Sequence, residues 1–278
     1  MDAMLDLFEI ARGNANAVQA AFTSAVATMS PDQAALVHEF AAWVEEKALV
    51  SINVKLFVIV DFLNGGRYQN IHEWAQEQSR LSGRSAEDAL RERLHKFYDK
   101  RVAFDRAFKG GEQFRYGALN AGGAGLPEYD PWCIILTRDF ITSLPDIAYL
   151  PGDSLTICFS ADGAFDVSVV EGRTAPHTHR HLMVAKERAS EVPLTDKRDW
   201  AGIVASPGRY FEVIFIGDVS LNAVECVRVL KTEYDRMWDM AFASFGRKLG
   251  VAERALVHDF VQMRRGVVDG RIQVEVVA

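Results

Sequence analysis

The sequence predicts an α+β protein with a helical N-terminal region, a mixed, mostly antiparallel β-core, and C-terminal helices that precede a last strand. Three observations lead to this prediction. With 49% hydrophobic and 25% charged residues, the composition is that of a globular chain able to bury a full core. Helix start and stop signals fill the first hundred residues. Short stretches rich in β-branched and aromatic residues follow them.

Helix-capping signals define the N-terminal region. A capping box at Ser30, with proline at the next position, predicts a helix that runs to about residue 49. Asn70, with a glutamate three residues later, begins another helix that ends at Gly83. The first hundred residues are therefore predicted to be helical.

The longest predicted helix begins at Ser85 and ends at the pair of glycines at residues 110–111. One stripe of this helix is apolar and contains Leu90, Leu94, Phe97, Phe104 and Phe108. Arg101 falls on the same stripe, where a guanidinium needs charge-assisted hydrogen bonds. We therefore predict that Arg101 is mostly buried and paired with a carboxylate.

Five strands are predicted in the core, at residues 132–137, 155–160, 165–170, 210–216 and 225–230. Helices are predicted between and after them, around residues 181–191, 196–204, 231–248 and 253–264, with a last strand at 272–277. The chain is thus divided into three parts: a helical region (1–109), a strand-rich core that carries the candidate site (110–232), and C-terminal elements that pack on this core (233–278).

Charge and cysteine content limit the expected partners and location. The net charge of −7 disfavours binding to a nucleic-acid backbone. Cys133, Cys158 and Cys226 are widely spaced beside apolar residues, which predicts buried, reduced thiols. We expect no secretory leader, because residues 1–19 have no basic segment followed by an apolar block, and the longest apolar run, residues 56–63, is too short to cross a bilayer. We expect a cytoplasmic protein with no membrane partner, and non-classical export stays open.

A glycine-rich segment follows the predicted N-terminal helices. Gly122, Gly123 and Gly125 allow a backbone to approach a ligand and to direct N–H groups at a phosphate or a carbonyl. Neither a GxGxxG fingerprint nor a P-loop lysine accompanies them, and an ordinary turn is the alternative interpretation. Arg115, just before this segment, would be the partner of an anion.

Glu212 is an isolated carboxylate in a strand whose two faces are both apolar, which is typical of a central strand. A carboxylate in that position must be paired, protonated or exposed to a cleft, because burying a bare charge is unfavourable. Glu212 is therefore a candidate for catalysis or for binding a sugar hydroxyl. The alternative is a structural ion pair, with Arg101 as the partner.

Three histidines, His177, His179 and His181, could share one face of an extended segment and bind zinc. No aspartate, glutamate or cysteine at a familiar ligand spacing accompanies them. We therefore predict no structural metal site, although a metal-dependent hydrolase that uses these histidines stays open as an alternative function.

Several blocks of the sequence resemble a group of poorly characterised bacterial proteins. The blocks are Tyr116-Gly117-Ala118-Leu119-Asn120, the C-x-x-L strand at Cys133, and Tyr210-Phe211-Glu212-Val213 with the following Gly217. This arrangement is similar to ADP-ribosyltransferase-like folds, in which a split β-core holds NAD. The resemblance covers roughly residues 97–230. A clean Ser-Thr-Ser strand is missing, and Tyr210 stands where arginine-modifying members have Glu or Gln.

The resemblance implies a role for each matched residue. Glu212 would be the late-strand glutamate that stabilises an oxocarbenium-like ribose, and NAD would be the substrate. The implied cofactor-binding residues are Arg115, Tyr116, Asn120, Gly122, Gly123, Ser154 and Thr156, with Arg115 and the glycine-rich backbone on the pyrophosphate. A protein side chain, a base or water would accept the ADP-ribose, and a toxin, an effector or a housekeeping enzyme are all open settings. A non-catalytic ligand- or partner-binding protein on the same scaffold is the main alternative.

Overall fold

The computed structural model describes residues 4–246 and 248–278, and it confirms the predicted α+β class. One eight-stranded sheet has the order β5-β4-β6-β2-β1-β3-β7-β8. Among its strand pairs, β7 and β8 run parallel and the other neighbours are antiparallel. The strands are β1 (Leu49–Val54), β2 (Arg115–Asn120), β3 (Trp132–Leu136), β4 (Ile147–Leu150), β5 (Ala175–Pro176), β6 (Glu212–Phe215), β7 (Val224–Leu230) and β8 (Val274–Val277).

Helices cover both faces of this sheet. In chain order they are α1 (Leu7–Gly13), α2 (Ala15–Ala27), α3 (Pro31–Lys47), α4 (Leu56–Gly65), α5 (Ile71–Ser82), α6 (Ala86–Leu94), α7 (Tyr98–Ala107), α8 (Arg138–Ser143), α9 (Ser154–Ile157), α10 (Val167–Arg173), α11 (Arg180–Glu187), α12 (Trp200–Val204), α13 (Lys231–Ala243) and α14 (Val251–Val268). None of the described helices is both long enough and apolar enough to span a membrane.

Two hydrophobic cores lie on opposite sides of the sheet. The larger core joins one face, with Ile52 and Val213, to helices that include α3, α4, α13 and α14. The smaller core joins Ile214 and Leu150 on the other face to α1, α7, α9 and α10. Because the smaller core covers only the β4–β6 end of its face, the middle of that face is left for other side chains.

Local capping explains the helix starts that were predicted correctly. The hydroxyl of Ser30 accepts from the backbone N–H of Gln33, and the Gln33 side chain returns to Ser30, so the capping box is confirmed. At the start of α5, the side chain of Asn70 accepts from the backbone N–H of Glu73, and the Glu73 side chain accepts from the backbone N–H of Asn70. The three cysteines are buried free thiols, as predicted, and burial raises the pKa of Cys133 to about 11.

The prediction that the first hundred residues are helical was wrong at β1. The helix α3 ends at Lys47, and Leu49–Val54 forms a central strand between β2 and β3. Along this strand Val50, Ile52 and Val54 are buried on the core side, and Ser51 projects to the other side. This alternation is the pattern of a strand, and it directly follows the end of the helix without a turn signal.

Two predicted strands are helices instead. Residues 155–157 of the segment predicted at 155–160 belong to α9, and residues 167–170 of the segment predicted at 165–170 belong to α10, while Phe159 and Phe165 form an isolated β-bridge. In each case an aspartate side chain, Asp153 or Asp166, accepts a backbone N–H at the start of the helix. Local N-capping therefore outweighed the β-branched content of both segments.

The longest predicted helix is broken near its middle. It divides into α6 and α7, joined by a 3₁₀ turn that begins at His95. His95 has a φ of 47°, a region that residues other than glycine rarely adopt. The break separates Arg93 in the last turn of α6 from Arg101 in α7, so the two arginines occupy different helices.

Candidate functional site

Polar side chains share one face of the central strands. In an antiparallel sheet, residues directly opposite each other project to the same face. Ser51 on β1 lies opposite Ala118 on β2, and Ala118 lies opposite Glu212 on β6. Tyr116, two residues before Ala118, also projects to this face. The register therefore brings Glu212 and Tyr116 to one surface of the sheet.

A cavity of about 350 Å³ opens on this surface, and we call it the Glu212 cavity. The sheet forms its base, α6 and α7 form one wall, and the segments before α9 and β6 form the other. Its aromatic lining residues are Tyr68, Phe97, Tyr116, Tyr129 and Tyr210. Its charged lining residues are Lys55, Arg93, Arg101, Asp130, Asp153 and Glu212. Aromatic walls with a few polar groups are typical of small-molecule sites.

Glu212 is buried between two donors at the base of the cavity. The backbone N–H of Ser154 donates to Oε2 at 2.9 Å, and Nη2 of Arg101 lies 3.6 Å from Oε1. Burial raises the pKa of the Glu212 carboxyl to about 7 against the opposing charge of Arg101, and Asp153 adds to the rise. The carboxyl therefore changes its charge near neutral pH.

Arg101 is buried and paired, which confirms the prediction from the helix stripe. Its side chain is 9% exposed, and Cζ lies 3.5 Å from the centroid of the Tyr116 ring. Burial favours the neutral guanidine, but Tyr116 and Glu212 raise the pKa of Arg101, so the group stays charged. Among the described residues, Nη1 of Arg101 has no hydrogen-bond partner.

A chain of polar contacts fixes the ring beneath Arg101. The hydroxyl of Tyr116 donates to Oδ1 of Asp105, and Oδ2 of Asp105 lies 2.7 Å from Nε2 of His72. Burial raises the pKa of Tyr116 well above its ordinary value, so the phenol keeps its proton. Because Asp105 is itself buried, these contacts hold the Tyr116 ring in one orientation against the guanidinium.

Two tyrosines and an aspartate complete the opposite wall. The hydroxyls of Tyr129 and Tyr210 lie 2.9 Å apart, and burial together with the charge of Glu212 raises the pKa of Tyr210. Asp153 is half-buried, and its Oδ1 accepts from the backbone N–H of Leu155 at 2.9 Å. This wall therefore presents neutral phenols and one carboxylate that is fixed by its role as a helix cap.

The structure corrects the prediction that Arg115 and Glu212 line one site. Arg115 lies opposite Phe215 in the sheet and projects to the other face. Its Nη2 is 3.0 Å from Oε2 of Glu73, and its side chain is 3% exposed. The arginine beside Glu212 is Arg101, which the sequence suggested only as a structural partner.

The glycine-rich segment is a turn and does not line the cavity. The side-chain oxygen of Asn120 accepts from the backbone N–H of Gly122 at 2.8 Å, and its amide donates to the carbonyl of Gly123. Gly125 has a φ of +67°, and a Cβ there would lie 2.3 Å from Oδ1 of Asn53. The alternative interpretation as a turn therefore describes Gly122 and Gly123, and the side chain of Asn120, at the end of β2, holds this turn.

Ser154 and Thr156 differ in their relation to the site. Ser154 reaches Glu212 through its backbone N–H, because it is the first residue of α9 rather than part of a strand. Thr156 is exposed, and its hydroxyl donates to Oδ2 of Asp153 at 3.2 Å. Of the residues implied by the resemblance, Glu212, Tyr116 and Ser154 are brought together.

Asp153 and Tyr129 were missed by sequence reasoning, and Tyr210 was noted only as a departure from the family pattern. An Asp-Ser pair is a helix N-cap signal that identifies Asp153 as the start of α9. Tyr210 precedes Glu212 by two residues, so in an extended chain both side chains project to the same side, and both line the cavity. Tyr129 lies in a loop with no motif around it, and we find no sequence signal that would have selected it.

The three histidines do not converge. Nδ1 of His177 lies 2.8 Å from the Tyr149 hydroxyl, and Nε2 of His181 lies 3.9 Å from a carboxylate oxygen of Glu45. Burial lowers the pKa of His177 to about 4, and the nearby charge of Arg180 contributes. Within residues 4–246 and 248–278, no group of three His, Cys, Asp or Glu side chains has metal-binding geometry.

We expect protein purified without a histidine tag to contain much less than one equivalent of zinc. The nearby arginine cation opposes a metal ion, and the imidazoles lack a shared centre. Metal analysis by inductively coupled plasma mass spectrometry would test this. One equivalent of zinc in the wild type that is lost in His177→Ala/His181→Ala would contradict the expectation.

Comparison of the chain with protein-family models and with curated proteins gives no significant match.

Proposed function

We propose that the Glu212 cavity binds the ribose of a nucleotide and that the protein is an ADP-ribosyltransferase-like enzyme that uses NAD. One observation carries the proposal: the Glu212 carboxylate and the Arg101 guanidinium lie side by side at the base of a cavity lined by aromatic rings. Oε2 of Glu212 receives one backbone N–H, and Nη1 of Arg101 has no partner among the described residues. A ribose diol would donate to the carboxylate and accept from the guanidinium, because each hydroxyl can do both.

The chemistry requires a negative charge near C1′ of the ribose. The glycosidic C1′–N bond breaks, its electron pair remains on the nicotinamide nitrogen, and that ring becomes neutral. The remaining positive charge on the ribose would be stabilised by ionised Glu212. An acceptor oxygen or nitrogen then bonds to C1′ and releases its proton. Arg101 would orient Glu212 and the diol, and Tyr210 and Tyr129 would offer aromatic surface to the nicotinamide.

Incubation of the full chain with labelled NAD tests this function. Two products are scored: free nicotinamide, and label transferred to proteins or nucleic acids of a bacterial extract. Release without transfer would identify water as the acceptor. A wild-type protein that neither binds nor cleaves NAD would exclude the proposed reaction.

The pH dependence of this reaction should follow the Glu212 carboxyl, whose pKa is raised to about 7. The ionised form is the active one, so kcat/KM for NAD should increase about tenfold per pH unit below pH 7 and level off above it. Initial rates of nicotinamide release across this range would measure the profile. An unchanged rate between about pH 5.5 and 8.5 would show that Glu212 ionisation does not control the reaction.

A second candidate function is ligand binding without catalysis. It is favoured by the contacts that Glu212 already makes within the protein, since the Ser154 N–H and Arg101 hold it without a ligand. Binding of ADP-ribose with no nicotinamide release from NAD would support this candidate over the transferase.

A further inference from the structure

An exposed apolar surface covers the helical hairpin formed by α13 and α14. Trp238 on α13 and Val261 and Val268 on α14 line a cavity of about 370 Å³ between the two helices. Phe242, one turn after Trp238, stacks on the indole with 5.5 Å between the ring centroids. Phe242 is 64% exposed, Val268 is 79% exposed, and Phe245, just after α13, is 89% exposed. We call these five residues the hairpin face, and a gathered apolar surface of this kind indicates an interaction site.

Opposite charges border the hairpin face along its two edges. Cζ of Arg264 lies 5.7 Å from the centroid of Trp238, so these two residues mark one level of the hairpin and face each other. The next residue on each helix, Asp239 on α13 and Arg265 on α14, is turned by about 100° from that direction. Both are exposed, so each lies on the outer side of its helix. At one level, the α13 edge is therefore acidic and the α14 edge is basic.

The protein itself leaves these two edge charges without partners. Within residues 4–246 and 248–278, Asp239 and Arg265 form no ion pair and no side-chain hydrogen bond. Another carboxylate of α13, that of Asp235, is by contrast paired with Lys231 at 2.5 Å. The hairpin face thus keeps a free charge of each sign on opposite edges, and a partner with the reverse arrangement would neutralise both.

A second copy of the chain can supply that arrangement. Two identical faces can stack around a two-fold axis in two ways. If the axis runs along the helices, α13 of one copy covers α14 of the other, and each acidic edge lies on a basic edge. If the axis runs across the helices, α13 covers α13, and edges of like charge meet. Charge complementarity favours the first arrangement and opposes the second.

We infer that the hairpin face is the interface of a two-fold symmetric homodimer, in which Asp239 of each copy pairs with Arg265 of the partner subunit. The apolar side chains between the two edges would form the centre of the interface, where burial contributes most to affinity. The inference does not depend on the reaction proposed above. Because α13 and α14 pack on the sheet face opposite the Glu212 cavity, both cavities of the dimer stay open to ligands.

Sedimentation velocity of the full chain, over a concentration series up to about 100 μM, tests for the dimer. The wild type should reach twice the mass of one chain. Phe242→Asp places a charge in the centre of the face and should weaken association by about 100-fold or more. Leu194→Asp is the matched control, because Leu194 is 86% exposed and lies outside the hairpin face. This control should dimerise as the wild type does.

Exchange of the edge charges tests how the helices are arranged. Asp239→Arg and Arg265→Asp should each weaken self-association by roughly tenfold or more, because each places two pairs of like charges in the dimer. An equimolar mixture of the two variants should dimerise again, since every edge contact in the mixed dimer joins a carboxylate to a guanidinium. The double variant Asp239→Arg/Arg265→Asp should dimerise by itself for the same reason.

Thermal melting would verify that each variant is folded, and Val268→Asp replaces Phe242→Asp if the latter does not fold. A wild type that stays monomeric at about 100 μM would overturn the inference, and its binding to vesicles of anionic lipid would assign the face to a membrane surface instead. A dimer that persists in folded Phe242→Asp and Val268→Asp would overturn it as well. So would single charge variants that dimerise like the wild type, or a mixture that stays monomeric.

Discussion

Glu212→Gln is expected to reduce nicotinamide release from NAD by roughly 10²–10³-fold, the effect of losing one preorganised electrostatic contact. Glutamine keeps the shape of the side chain and can still contact a hydroxyl, but it has no charge to offer the oxocarbenium-like ribose. Because the interaction strengthens as positive charge develops, NAD binding should weaken far less than turnover. The loss should therefore appear in kcat more than in KM.

The measurement compares nicotinamide release and NAD affinity for the wild type, Glu212→Gln and a matched control, Glu73→Gln. Glu73 also pairs with a buried arginine, Arg115, but it does not line the Glu212 cavity. The control should retain the wild-type rate per folded molecule. If Glu212→Gln also retains that rate, the carboxylate does not take part in the reaction.

Arg101→Met is expected to lower the free energy of unfolding by roughly 3–5 kcal/mol at pH 8, because it leaves a buried carboxylate without its cation. The loss should be smaller near pH 5. Removing the cation raises the folded-state pKa of Glu212 from its value of about 7, while the unfolded value stays near 4.5. The folded protein can then protonate Glu212 at low pH but must hold an unpaired charge at high pH.

The free energy of unfolding of the wild type should also depend on pH, but less strongly than that of Arg101→Met. Since the folded pKa of Glu212 is above its unfolded value, the contribution of this group to stability is largest below about pH 4.5 and declines as the pH rises to about 7. Urea denaturation at about pH 5.5 and pH 8 would measure the free energy of unfolding of the wild type and of Arg101→Met.

A double variant separates the charge effect from lost packing on Tyr116. Arg101→Met/Glu212→Gln has no carboxylate to orphan, so at pH 8 it should be more stable than Arg101→Met alone. An equal loss of stability at both pH values, with no recovery in the double variant, would assign the effect to the stacking of Arg101 on the ring.

Several parts of this architecture could be predicted because their signals are local. The capping boxes at Ser30 and Asn70 specify helix starts within a few residues, and both are present. The pairing of Arg101 with a carboxylate followed from one arginine on an apolar stripe. By contrast, the break at His95 has no glycine or proline beside it, so the sequence offered no reason to divide the helix.

The face on which a strand residue lies depends on register, which one sequence does not specify. Ala118 lies opposite Glu212, so Tyr116 shares the face of Glu212 and Arg115 does not. A register shift by one residue would have reversed this assignment. The resemblance named both residues for one site, but only the pairing of β2 with β6 decides which of them reaches it.

The residues that line the Glu212 cavity also determine how long a segment of the gene must be transferred to carry the whole cavity. They come from seven separate stretches of chain, at residues 51–55, 68–71, 93–101, 116–118, 126–130, 153–155 and 210–212. The strand β1, from the predicted helical region, lies between β2 and β3. A gene fragment that begins after residue 109 therefore encodes a sheet without its central strand and a cavity without either arginine. Recombination can transfer this site to another protein only as the whole span from β1 to β6.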